Sequence, residues 1–140
     1  MRDFVHRSDI AATPATVWAV LADLEHWPQW TASMRSVTRL DNGPLGLDSK
    51  VRVVQPGLLP AIYTITAWEP ERKFDWASSA PGVHVVAGHL IEPGTNGCRI
   101  TLSIHFGGLL GGVAGALFSS RIQRFMRMEG DGLKRRSEGG

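Results

Sequence analysis

From Arg99 to Phe106 the chain alternates strictly. Ile100, Leu102, Ile104 and Phe106 are apolar, while Arg99, Thr101, Ser103 and His105 are polar. A two-residue period of this kind belongs to a strand with one buried face and one wet face. From Leu109 the period becomes helical. Leu110, Val113, Leu117, Ile122, Phe125 and Leu133 trace an apolar stripe, with Phe118 and Met126 near its edge. A sheet with one apolar face and a long amphipathic helix must bury those faces against each other. Few folds accommodate that pair at the end of one short chain.

The remaining elements supply the rest of the sheet. Phe4 to Ile10 reads as a first strand. Thr13 is a good N-cap, and Pro14 falls at the first helical position, where its missing N–H costs nothing. Val17, Leu21 and Leu24 follow at helical spacing, beside Trp18 and Val20. Pro28 disfavours helical geometry at Trp27, so this helix ends and a second short turn forms around Trp27 to Thr31. Strands are expected at Met34 to Leu40, Lys50 to Gln55, Ala61 to Trp68, Lys73 to Ser78, Val83 to Glu92 and Cys98 to Phe106. The short links EPER, APG and PGTNG suit antiparallel neighbours. The expected fold class is α+β: a curved antiparallel sheet of about six to seven strands around a long C-terminal helix, with two short helices after the first strand. Sheet twist lets such a sheet curl and leave an apolar cavity under the helix.

Composition narrows the function classes. The chain has 140 residues, 43% of them hydrophobic and 20% charged, as expected of one folded domain rather than a disordered segment. The domain is expected over residues 1–136, with a flexible tail at 137–140. The formal net charge is +2, although Arg121, Arg124, Arg127, Lys134, Arg135 and Arg136 cluster near the C-terminus. A solvated helix face explains that cluster better than a nucleic-acid arm, so no nucleic-acid partner is expected. The single cysteine, Cys98, allows no internal disulfide and suggests a cytoplasmic protein. The charged start MRDFVHRSDI does not read as a signal peptide. Ile100 to Ser120 lacks Asp, Glu, Lys and Arg, but its early alternation and later glycines do not suit a membrane span.

The segments ATPATVWAVLADLEHWPQW, EPERKFDW and GHLIEPGTNGCRITL, with the terminal GLKRRSE, resemble the START-like (SRPBCC) superfamily, and within it the polyketide cyclase/dehydrase group. The resemblance covers nearly the whole chain and rests on structural motifs. It implies a helix-grip fold with a cavity for lipids, sterols, polyketides or other apolar molecules. Only some members of that superfamily are enzymes, so the resemblance implies a pocket and not a reaction.

Chemistry-bearing residues are sparse. There is no phosphate loop, no dinucleotide fingerprint and no metal-spaced His/Cys cluster, so neither a metal nor another cofactor is expected. His89 shares strand parity with Val85, Ala87 and Ile91, whereas His105 falls on the wet side. In the pattern of the family, Gly88-His89-Leu90 places His89 where it can line the pocket. There an imidazole acts as acid/base or as a donor to a carbonyl, or else is simply a buried, bonded histidine. Tyr63 offers a hydroxyl to the same space. The catalytic candidates are therefore His89 and Tyr63. The candidate ligand-binding set is Trp30, Met34, Tyr63, Phe74, Trp76, His89, Phe106, Leu110 and Leu117. Trp30 is also a candidate lid.

Two stretches stay open. GGLLGGVAG is either a flexible gate or a place where a helix packs closely on the sheet. VQPGLLPAI either covers the cavity entrance or folds its leucines into the core. Three functions fit: binding of a small apolar or aromatic molecule, polyketide cyclase, aromatase or dehydratase chemistry, or an interaction through the basic C-terminal helix. The chain is expected to be a monomer or homodimer, with no integral membrane segment.

Overall fold

The computed structural model describes residues 2–139; Met1 and the expected tail's Gly140 lie outside them. The chain runs β1 (Arg2–Ile10), α1 (Pro14–Ala22), a 3₁₀ turn (Leu24–Gln29), β2 (Ser36–Arg39), β3 (Lys50–Val54), β4 (Ala61–Glu69), β5 (Lys73–Ala80), β6 (Val83–Gly94), β7 (Gly97–Gly107), α2 (Gly111–Leu117) and α3 (Ser119–Ser137). The strands form a single sheet in the order β1-β7-β6-β5-β4-β3-β2, with every neighbouring pair antiparallel. Only the β1–β7 pairing joins strands distant in sequence. The other neighbours follow each other along the chain, as the short turns imply.

Thr13 caps α1 as its sequence predicts: the Thr16 amide donates to its hydroxyl at 3.2 Å. Val17 and Leu21 are buried. The turn after α1 begins three residues earlier than its proline suggests and takes 3₁₀ form, with Pro28 inside it. Trp27 locks this corner. It is fully buried, and its indole N–H donates to the Leu21 carbonyl at 2.9 Å, satisfying a group that the end of α1 would otherwise leave unpaired. Trp30 packs beside it, its ring tilted by 51° with ring centres 5.2 Å apart.

The C-terminal stripe is where sequence and structure part. A break at Phe118 divides the expected single helix into α2 and α3. In α3, Ile122, Phe125, Met126 and Leu133 are buried as expected. In α2 the stripe is reversed: Gly111 and Gly115 are the buried residues, while Leu110, Val113 and Leu117 are exposed. The reason is close approach. A methyl group at Gly111 would press on the Phe106 backbone, and one at Gly115 on the Arg2 side chain. Glycines one turn apart thus bring α2 hard against the sheet and turn its larger side chains to solvent. Gly132 does the same for α3, where any side chain would overlap the Trp30 carbonyl. Helix α3 runs through the buried Ser137, and the next residue, Glu138, accepts from the Ala11 amide at 2.8 Å.

Candidate functional site

The centre of the sheet faces α3 with its largest side chains. In β5, Phe74 and Trp76 point inward; opposite them in β6 stand His89 and Ala87, and beyond those Leu102 and Ile104 in β7. Register therefore places His89 between Phe74 and Leu102 in the middle of the apolar face. The Phe74 and His89 rings stack at 4.1 Å and 12°. Trp27 and Trp76 meet the imidazole edge-on at 5.5 and 5.8 Å. Three aromatic rings hold one buried imidazole.

Two polar contacts then set its chemistry. His89 Nδ1 lies 3.1 Å from the Phe74 carbonyl. A carbonyl only accepts, so Nδ1 carries the hydrogen and the other nitrogen is left to exchange a proton. That nitrogen, Nε2, lies 3.3 Å from Oε1 of Glu129 on α3, and both side chains are largely buried. A bare lone pair facing a bare carboxylate at that distance would repel it. A proton on either group makes this contact a hydrogen bond.

A cavity of about 40 Å³ opens beside this pair. His89, Glu129, Tyr63, Trp76, Met34 and Met126 are among its lining residues. Tyr63 sits across from Val51 in the register of β3 and β4, with its ring 5.2 Å from Trp76. Burial, and then the nearby charge of Glu129, push its phenol up to about 12. The phenol is thus a neutral donor throughout the ordinary pH range.

Of the residues expected at the site, Met34, Tyr63, Trp76 and His89 come together at the cavity. Phe74 lies fully buried beneath His89, and Phe106 is pressed under Gly111. Trp30 is no lid: it is 4% exposed and pinned beneath Gly132 of α3. Leu110 and Leu117 do not line the cavity either, because the glycine face of α2 takes the inner position. Leu110 folds over Gly82 and Leu117 points to solvent. Sequence reasoning missed Glu129 and Met126. The signal was present: Ile122, Met126, Glu129 and Leu133 follow at intervals of four, three and four, so the glutamate stands within the apolar stripe.

The family model described as polyketide cyclase / dehydrase and lipid transport matches residues 1–138. The chain belongs to that family. An uncharacterized protein of Mycobacterium tuberculosis strain H37Rv is 26% identical over 134 residues, spanning 89% of this chain and 80% of the relative. Among solved structures, the Zhui aromatase/cyclase of Streptomyces sp. R1128 superposes with a TM-score of 0.78 at 18% identity, covering 98% of this chain and 93% of that one. The di-domain aromatase/cyclase BexL, from the BE-7585A biosynthetic pathway, gives 0.74 at 17% identity. This member of the polyketide cyclase/dehydrase family covers 46% of the BexL chain, about one of its two domains. At these identities the structural likeness shows the helix-grip fold. No helix among the described residues is long and apolar enough to cross a membrane. No cluster of His, Cys, Asp or Glu among them is arranged to hold a metal ion.

Proposed function

We propose that the protein binds a small aromatic or polyketide-like carbonyl compound between the sheet and α3, and moves a proton on it with the His89–Glu129 pair. The observation that carries this reading is the pair itself. Burying two ionisable groups in an aromatic core disfavours folding unless they are paired, and apolar residues of similar size would fill the space at less cost. Passive carriage of an apolar molecule asks for no such pair.

The roles follow from the contacts. With its Nδ1–H held by Phe74, His89 has one orientation and one exchangeable position. The contact with His89 uses Oε1 of Glu129 and leaves Oε2 for a ligand. Glu129 then takes a proton from a carbon next to a carbonyl, and the neighbouring imidazolium stabilises the carboxylate before transfer. Negative charge develops on the carbonyl oxygen, to which the neutral Tyr63 hydroxyl donates. The resulting enolate is the nucleophile that ring closure of a polyketide requires. Protonation of a departing hydroxyl by the same pair would permit loss of water.

Size is the physical demand on this reading. A volume of about 40 Å³ has room for a water molecule or so, whereas sites for drug-sized ligands occupy roughly 300–1,000 Å³. The cavity must therefore expand. Met34 and Met126 line it, and unbranched thioethers repack more readily than any other large apolar side chain.

Native mass spectrometry and tryptophan fluorescence, with a panel of fatty acids, sterols and aromatic polyketide analogues, test the binding step. Saturable quenching at micromolar concentration by the aromatic carbonyl compounds supports it. With a turned-over substrate, His89→Ala and Glu129→Gln should each lower kcat by about 10²–10⁴-fold. Unchanged kcat in both variants would leave a binding protein without acid–base chemistry.

A further inference from the structure

The outer face of α2 plays no part in the site just described. Leu109, just before α2, is 98% exposed, Leu117 is 75% exposed, and Leu110 and Val113 are also exposed. Leu59, in the loop between β3 and β4, is 89% exposed. Arg121 ties the two regions together, its Nη1 donating to the Pro56 carbonyl at 3.0 Å. All of them lie at one end of the sheet, where β3 stops, β4 and β6 start and β7 stops. A single exposed leucine needs no explanation, but an apolar group contributed by a helix and the adjoining loop does.

The charge around this end is mostly positive, with Asp3 of β1, beside His105, as its carboxylate. Neither residues 49–68 nor residues 93–128 contain an Asp or Glu. Arg2 lies along α2 at Gly115, and Arg121 and Arg124 occupy the first turns of α3. Among the described residues, no carboxylate lies within ion-pair distance of these three. The arginines and lysines that do have carboxylate partners are Arg39, Arg72, Lys73, Arg99 and Lys134, at the opposite end.

We propose that this end docks onto an anionic lipid bilayer. Leu59, Leu109, Val113 and Leu117 enter the boundary between headgroups and acyl chains, while Arg2, Arg121 and Arg124 face lipid phosphates. The combination of an outward apolar helix face and flanking cations is that of an interfacial element. A second copy of the chain fits less well, because a two-fold contact through this patch would set the arginine rim against itself. Nucleic acid fits less well because aliphatic side chains give bases nothing to stack on. The proposal is independent of the proton-transfer reading.

Vesicle flotation of the full chain tests it, with vesicles of phosphatidylglycerol and phosphatidylcholine in equal parts set against phosphatidylcholine alone. The protein should float with the anionic vesicles and stay behind with the neutral ones. Each cation close to such a surface is worth about fivefold in binding, so Arg124→Glu should weaken partitioning by at least that factor. The double variant Leu109→Asp/Leu117→Asp should abolish it with an unchanged melting temperature, since both positions are solvent-exposed. Failure to float with anionic vesicles overturns the proposal. So does flotation that ignores vesicle charge and both sets of substitutions. A dimer in light scattering that the leucine variant dissociates, without vesicle binding, would assign the patch to a second copy instead.

Discussion

Tyr63 reports on the candidate site more cleanly than any other residue, because it is the only tyrosine in the chain. Ultraviolet absorbance of tyrosinate therefore titrates one known group. Its folded-state value is pushed from 10.0 to about 12, first by burial and then by the charge of Glu129. Two units correspond to about 3 kcal/mol of preference for the neutral phenol. The sign follows from proton linkage. The folded state holds its proton to higher pH than the unfolded state, so this stabilisation is fully present below pH 10. It is lost as pH rises through about 12. Absorbance titration, with circular dichroism confirming that the fold persists at each pH, should show a midpoint well above that of free tyrosine. Glu129→Gln removes the second cause and leaves the first, so its midpoint should fall but remain above 10. A wild-type midpoint near 10 in folded protein would mean that the phenol is hydrated, refuting its burial at the site. An unchanged midpoint in Glu129→Gln would mean that the carboxylate does not face the phenol.

Three further outcomes are expected. Gly132→Ala should destabilise the fold by about 1–3 kcal/mol in urea unfolding, because a methyl there overlaps the Trp30 carbonyl and helix α3 must shift. Leu21→Ala, which empties a fully buried position under the Trp27 corner, should cost about 2–5 kcal/mol, whereas Leu117→Ser should stay within about 0.5 kcal/mol of wild type. Met126→Ala should enlarge the cavity and tighten binding of an aromatic ligand in fluorescence titration while lowering the melting temperature; weaker binding would argue against expansion at that wall.

The sheet was legible because its signals are local. Alternation in Arg99–Phe106 names the buried face directly, and each short turn predicts an antiparallel neighbour. Helix α1 was equally plain from Thr13, Pro14 and the spacing of Val17 and Leu21. The course of the C-terminal segment was not. A helical stripe shows which residues share a face, but not which face turns inward. In α2, glycines make the tighter inner contact and the leucines are left outside. The candidate site shows the same limit. Strand parity turns His89 toward the cavity, yet its partner is 40 residues away and is brought near by the packing of α3 against β1 and β7. In the sequence Glu129 stands among charged neighbours, Arg127 and Asp131. Only its place between Met126 and Leu133 marks it as buried.

The proposed function has His89 and Glu129 acting on a carbonyl compound held under α3. Proton exchange measures that action without knowledge of the natural substrate. An aryl methyl ketone incubated with the protein in heavy water should lose its methyl proton resonance in catalytic fashion. Glu129→Gln and His89→Ala should each slow that loss by about 10²–10⁴-fold while remaining folded. Exchange no faster than buffer for a ketone that saturates the tryptophan fluorescence, or exchange undiminished in both variants, would contradict the account.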